Sequence, residues 1–400
     1  MQQHKILSLT VLRGLLYDEV FEPYINFRER EAEDDEYACS CFGNFIEKLY
    51  KKGAEQNFAE YICNAMLYDE NAFSLCCAAR ETPSAFLANA YVRDVKLILD
   101  YIAEKSYGQG EFYAVGSPAA MFDLKEGDDK FIAKLKKYYR KHGCGMFIDN
   151  RAFTYESGPE GELIPVENPS PVTLEELKGY EQEKAVINDN IVNFMRGLPY
   201  ANMLLYGDMG TGKSSTIHAM LNKYWQNGLR LIELNKENML DLPKVRQLTG
   251  KNPLKFIIFI DDLSLGEGDD KISGLKAMLE GSVSGNTANT MIVATSNRRH
   301  IIKENLSDRE NSVHVSDSMQ EQLSLSDRFG ITVLFSSTNK AQYLEIVSAL
   351  AADCGIEADE KLFALAERWA LVKGGRSPRR AKQFVDIMYA CKKRGTQPDF

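Results

Sequence analysis

Through roughly the first 145 residues, apolar side chains recur at helical spacing. Phe42, Phe45, Ile46, Leu49 and Tyr50 fall on one helical face, Phe58, Tyr61, Ile62, Ala65 and Met66 on a second, and Leu87, Tyr91, Val95, Ile98 and Ile102 on a third. Stripes of this width bury themselves against other helices, so a mostly α-helical domain is expected over residues 1–150. The stretch "DKFIAKLKKYYRKHG" sets Phe131, Leu135 and Tyr139 against Lys134, Lys137 and Lys141. It predicts an amphipathic helix whose cationic face reads as solvated surface, with a partner or nucleic-acid surface as the alternative.

The texture then changes. "AFTYESGPEGELIPVENPSPV" holds two short extended runs around a Gly-Pro turn, followed by Pro165, Pro169 and Pro171. Proline removes backbone donors and pushes its predecessor towards extended geometry, so residues 151–172 are expected to form a hairpin and proline-rich linker. From Thr173 onward, "NMLLYG", "LRLIELN", "FIIFIDD", "TMIVATSN" and "ITVLFSS" are near-continuous apolar runs alternating with helical patterns. Strands covered by helices on both faces look this way, which predicts a five-stranded parallel sheet in a three-layer α/β core over residues 173–337. Only helical patterns continue over 338–400.

Candidate chemistry lies at the ends of these strands. "YGDMGTGKSS" satisfies GxxxxGK[ST] in full and sits between a strand and a helix, as the motif requires. Gly207, Gly210 and Gly212 let the backbone of Asp208, Met209 and Thr211 curl around phosphates. Lys213 neutralises the outer phosphates, Ser214 supplies a hydroxyl to magnesium, and Ser215 continues the amide-rich helix start. "FIIFIDD" ends in Asp261, expected to hold magnesium, and Asp262, expected to orient and deprotonate an attacking water. "ATSN" ends in Asn297, whose amide is placed to reach the γ-phosphate or that water. "STNKAQ" resembles the guanine-reading NKxD through Asn339 and Lys340, but Gln342 replaces the acid, which favours ATP over GTP.

Composition narrows the field. Four hundred residues exceed one ordinary domain, and an apolar fraction of 44% with 26% charged residues describes a globular chain. A net charge of −9 argues against wholesale electrostatic binding of nucleic acid, although a local basic patch remains compatible with it. The eight cysteines show no ladder of spacings and read as reduced thiols. Cys39, Cys41, Cys76 and Cys77 include no CxxC pair and accompany only five histidines, so no zinc site is expected. The opening "MQQHKILSLTVLRGLLYDEV" is short in apolar residues, is broken by Arg13 and predicts a packed helix rather than a secretory signal. No run approaches the roughly 18 apolar residues that cross a bilayer, so no membrane partner and a cytoplasmic location are expected.

The ordered set of motifs over residues 173–393 resembles the AAA+ ATPases: phosphate loop, strand-end acids, strand-end Asn, "SDRFG", then an arginine in a C-terminal helical lid. More narrowly, "LLYGDMGTGKSS", "FIDDLSL", "ATSNRRH" and "LSLSDRFG" resemble an uncharacterised bacterial AAA+ family, domain of unknown function 815. That resemblance implies that "GYEQ", with Gly179 and Tyr180, flanks the adenine, and that Asn297 is the sensor-1 residue. It further implies that Arg328 is an arginine finger aimed at the next subunit's nucleotide. In "GGRSPRRA", Arg379 is implied as the lid arginine, with Arg380 as the alternative.

ATP and Mg2+ are the implied cofactors. The implied partners are further copies of the chain in a nucleotide-dependent homo-oligomer and an unnamed protein client; nucleic acid is compatible but less favoured. Where most relatives place glutamate, this chain has Asp262, one methylene shorter, which predicts slow hydrolysis. A remodelling or loading ATPase is the leading expectation, with a slow nucleotide-gated assembly module or a nucleic-acid loader as alternatives. The long polar segment between Asn297 and Arg328 is expected near an oligomer interface.

Overall fold

Helical periodicity in the N-terminal third is realised as six helices, α1 (Phe21–Arg30), α2 (Glu36–Lys51), α3 (Phe58–Tyr68), α4 (Ala72–Ala78), α5 (Ala85–Ala103) and α6 (Asp128–His142). The computed structural model describes residues 3–33, 36–250, 252–263, 265–266, 279, 289–297, 302–303 and 328–396. The chain divides into two units, residues 1–149 with 251–254 and residues 150–250 with 255–400.

In the first unit, Phe45, Ile46, Leu49, Phe58, Ile62, Met66, Tyr91, Val95, Ile98 and Ile102 are buried together, as their spacing predicts. Tyr50 is the exception: it lies exposed and donates to the Phe112 carbonyl at 2.9 Å. Helix starts carry their own stop signals. Asn57 caps α3 at the Glu60 amide, and Asn71 with Ser74 forms a reciprocal capping box on α4. α6 buries Phe131, Leu135 and Tyr139 and turns its cations outward.

The packed helix expected at the N-terminus is not formed; two short 3-10 turns, Gln3–Ser8 and Arg13–Tyr17, stand there instead. The cause is tertiary. The fully buried Asp94 carboxylate accepts from the amides of Thr10, Val11 and Leu12 at 2.8, 2.7 and 3.2 Å, taking donors that a continuous helix would use.

The second unit is built on a seven-stranded sheet of order β2-β1-β4-β5-β7-β3-β9. Its strands are β1 (Ala152–Glu156), β2 (Glu162–Pro165), β3 (Met203–Gly207), β4 (Leu229–Glu233), β5 (Lys255–Ile260), β7 (Thr290–Ser296) and β9 (Ile331–Phe335). A separate two-stranded parallel pair joins β6 (Leu265–Gly266) to β8 (Ile302–Lys303). The five apolar runs read from the sequence are five adjacent parallel strands of the large sheet, with β9 at its edge.

The 151–172 segment is more than a linker. β1 and β2 pair antiparallel as a hairpin, and β1 also joins β4 in parallel register, Phe153 opposite Ile232. Ala152, Phe153 and Tyr155 are buried, so the hairpin gains an apolar face and covers the otherwise unpaired edge of β4. Pro165 ends the outermost strand, where a missing donor is tolerated.

Helices α7 (Glu181–Arg196) and α8 (Lys213–Tyr224) pack Ile187, Ile191, Phe194, Ile217 and Met220 onto the sheet, and α9 (Leu242–Thr249) follows β4. Three further helices, Lys340–Asp353, Glu360–Val372 and Pro378–Arg394, enclose a small core of their own around Tyr343, Trp369 and Phe384. The register Gly207 opposite Phe335, Tyr206 opposite Ser296 and Ile260 opposite Ala294 aligns the carboxyl ends of four parallel strands on one edge. Open α/β sheets bind ligands at that edge.

Candidate nucleotide site

The phosphate loop leaves β3 at Gly207, where φ is +132° and a Cβ would stand 2.1 Å from the Phe335 carbonyl oxygen. Only glycine lets β3 and β9 approach this closely, and the Asp208 amide donates to that same oxygen at 3.1 Å. Gly212, at φ +97°, begins α8 with no side-chain cap, so the first amides of the helix stay open to an anion. Thr211 donates to the Asp208 carbonyl at 2.8 Å and tightens the turn. The Met209 side chain is exposed, so only its backbone belongs to the cradle.

Lys213 occupies the centre of the loop. It is buried, and its ammonium donates to the carbonyls of Gly207 and Asp208 at 2.9 and 2.8 Å and to Asn297 Oδ1 at 3.2 Å. Burial holds its pKa below the usual lysine value, while Asp208, Asp261 and Asp262 pull in the opposite direction. The hydroxyl of Ser214 donates to Asp261 Oδ1 at 2.6 Å. A hydroxyl and a carboxylate are hard oxygen donors of the kind that magnesium accepts, and they meet beside an amide-rich turn. The residues present therefore fit a magnesium nucleotide.

Asp262 sits just beyond β5 in the left-handed region, φ +51°. Its carboxylate Oδ1 accepts from the Asn297 side-chain amide at 2.8 Å. The structure thus brings together Lys213, Ser214, Asp261, Asp262 and Asn297 in one connected network. Thr295, unnoticed within "ATSN", completes it: its hydroxyl donates to Asp261 Oδ1 at 2.5 Å and accepts from the Asp262 amide at 2.9 Å.

A cleft runs from Gly210, Thr211, Gly212 and Ser215 to Gly179, Tyr180 and the third helical segment. Gly179 and Tyr180 both have positive φ at the start of α7. The Tyr180 ring lies against Phe335 with centroids 5.1 Å apart, and its hydroxyl donates to the Ser336 carbonyl. Burial, with help from Glu183 and Asp208, pushes the Tyr180 phenol up to about 12. Apolar Ile346 and Leu350, together with Lys382, also line the cleft; none carries a motif by which sequence reading finds it.

Arg379 lines this cleft, and its backbone amide donates to the Gly210 carbonyl at 3.1 Å, joining the C-terminal helices directly to the phosphate loop. Arg380 instead turns its guanidinium to Gln383 at 3.0 Å. The preceding turn is held by Arg376, bidentate on Glu367 at 2.9 and 2.8 Å. Asn339 and Gln342 cap the helix Lys340–Asp353 reciprocally.

Arg328 is exposed and precedes β9, whose first residue pairs with Met203 at the start of β3. About 13 Å of strand separates that edge from Gly207. The segment expected at an oligomer interface, 298–327, lies outside the described residues apart from β8.

The family model described as "Protein of unknown function (DUF815)" matches residues 148–392, more than half of the chain and the whole of the site. The chain belongs to this family. It is an AAA+ protein, and general AAA+ nucleotide binding is the function its relatives support. It is 28% identical over 116 residues to the replication factor C large subunit of Nanoarchaeum equitans, covering 27% of this chain and 26% of that protein. The corresponding subunit of Methanococcus vannielii is 29% identical over 160 residues, covering 38% of this chain and 31% of that protein. The DUF815 chain thus spans about a quarter to a third of these curated relatives. Among solved structures, the RuvB Holliday junction branch migration motor of Thermotoga maritima aligns with a TM-score of 0.38 and 17% identity, over 56% of this chain and 66% of that one. Among the described residues, no helix is long and apolar enough to cross a membrane.

Proposed function

We propose that this chain binds ATP with magnesium and hydrolyses it slowly, in a homo-oligomer that remodels or loads a client. The observation carrying this reading is a mismatch of edges. The phosphate loop, both acids and Asn297 gather at the carboxyl edge of the sheet, while Arg328 stands at the amino edge of the same sheet. A guanidinium so placed serves a phosphate outside its own subunit, and completing a site from a neighbour makes hydrolysis depend on assembly.

Within one copy the division of labour follows from the contacts. Lys213 and the open amides of α8 hold phosphate oxygens, and Arg379 adds charge from the lid. Ser214 and Asp261 would hold a magnesium ion, which would supply charge neutralisation on the phosphates. Asp262 orients a water and accepts its proton. The Asn297 amide bonds only Oδ1 of that carboxylate, and a carboxylate has a second oxygen with which to meet water. The shorter side chain of Asp262 supports slow turnover.

The test is steady-state phosphate release at rising protein concentration, with Lys213→Ala as the blank. Turnover that grows with concentration is expected. Fast cleavage by a strictly monomeric preparation, independent of concentration, rejects the reading.

A second reading, a nucleic-acid client, is favoured by α6. Among the described residues no ion pair reaches Lys134, Lys136, Lys137, Arg140 or Lys141, and the apolar face of this helix is buried rather than free for a bilayer. Each phosphate neutralised contributes a slope of about −0.9 to the salt dependence of duplex binding. Duplex binding that steepens with these charges and is lost on reversing Lys137 and Lys141 to glutamate supports this reading. Its absence at low salt removes it.

A further inference from the structure

Thr295 belongs to neither the phosphate loop nor the pair of acids, yet it holds both acids. It lies on β7 and is 2% exposed, and its neighbour Ala294 pairs with Ile260, the last residue of β5. Beyond that point the regular ladder stops, and Thr295 takes over the pairing by itself. Its hydroxyl proton goes to Asp261 Oδ1 at 2.5 Å, a lone pair on the same oxygen takes the Asp262 amide at 2.9 Å, and its carbonyl takes the Leu263 amide at 2.7 Å. Three consecutive residues are thus bonded to one.

A buried strand position needs no hydroxyl. Valine has the same shape and a higher affinity for an apolar core. The hydroxyl here meets two polar groups that differ in kind, a carboxylate and an amide, and its single proton suits both at once. The amide it holds belongs to a non-glycine residue at φ +51°, a conformation that persists where its surroundings enforce it. In this conformation the Asp262 carboxylate lies on Asn297.

We propose that Thr295 is a positioning residue that orders the magnesium-holding acid and the water-orienting acid together through one hydroxyl. The role assigned to those acids rests on the function proposed above. Thr295 touches no reacting atom, and its proton stays on its own oxygen throughout.

The experiment compares Thr295→Val, which keeps the shape, with Thr295→Ser, which keeps the hydroxyl, in the full chain. Three quantities are measured: hydrogen exchange of the Asp262 amide, affinity for a fluorescent ADP with magnesium and with chelator, and ATP turnover. The valine variant is expected to speed exchange at Asp262 and to bind ADP normally in chelator. It should lose about 10–100-fold in the magnesium-dependent gain in affinity and in turnover, the usual effect of removing an outer partner of a metal ligand. The serine variant restores all three.

Wild-type exchange and magnesium response in the valine variant overturn the proposal, as does a serine variant that fails alongside valine. If valine does not fold, Thr295→Ser is set against Thr295→Ala, and equal behaviour of those two overturns it. A wild-type protein that releases no phosphate defeats the proposed function, while exchange and magnesium-dependent affinity still decide the role of Thr295.

Discussion

Replacing Gly207 by alanine tests the close approach on which the phosphate loop is built. The new Cβ would stand 2.1 Å from the carbonyl oxygen of Phe335 and 2.7 Å from its carbon. Both are backbone atoms of the adjacent strand, so no side chain can swing aside. β9 must retreat by nearly an ångström, which breaks the bond from the Asp208 amide to the same oxygen, now 3.1 Å long. Losing that bond costs about 0.5–1.5 kcal/mol. Forcing an L-residue to hold φ near +132° adds about 1–3 kcal/mol.

The sum, roughly 1.5–4.5 kcal/mol, corresponds to a fall in melting temperature of about 3–18 °C for a unit of this size. The chain has two tryptophans, Trp225 and Trp369, and both lie in the unit that carries the loop, so tryptophan fluorescence during thermal unfolding reports on that unit alone. Gly212→Ala supplies the control. It shares a positive φ of +97° but has no atom within 4 Å of the new Cβ, so only the conformational cost of about 1–2 kcal/mol applies. A Gly207→Ala protein that melts with the wild type, or no lower than Gly212→Ala, refutes the strand-contact argument.

Other outcomes follow from the same geometry. Arg328→Ala is expected to keep ATP binding and lose about 10³-fold or more in turnover, and mixing it with Lys213→Ala protein should restore part of the activity through mixed interfaces. Normal turnover in the single variant removes the finger assignment. Asp262→Asn should retain ATP, stabilise assemblies by size-exclusion chromatography and slow hydrolysis by about 10²-fold or more; unchanged turnover excludes Asp262 from the reaction. Burial pushes the phenols of Tyr68, Tyr180 and Tyr343 up to about 12 from an ordinary value of 10.0. Since the folded state favours the neutral phenol, their contribution is fully present below pH 10.0 and is lost as the pH rises through about 12. Tyrosinate absorbance should therefore lag in the native protein and appear with unfolding; complete titration near the ordinary value with the fold intact contradicts this.

Much of the site is legible in the sequence because it is built from backbone turns at strand ends. A glycine-rich loop between an apolar run and a helix leaves few conformations, so Gly207 to Ser215 read as a phosphate cradle from spacing alone. Strand-end acids and Asn297 were legible for the same reason: a run of buried residues must stop at the sheet's edge, and polar groups found there face one another across neighbouring strands. Helical stripes in the N-terminal unit were equally readable, since periodicity states which face is buried.

Other features depended on residues distant in sequence. Asp94 lies more than eighty positions from the amides it captures, so no local pattern could show that the N-terminus forms turns in place of a helix. The hairpin is legible from its turn and prolines, which are local, whereas its pairing with β4 is not, because that strand edge is remote in sequence. Nothing local distinguishes Thr295 from other β-branched strand residues; only the strand beside it places two acids against its hydroxyl. Sequence by itself determined which chemical groups reach the edge of the sheet. Tertiary structure decided which of them share a proton, because hydrogen bonds act over about 3 Å and the chain brings such partners together only when it closes on itself.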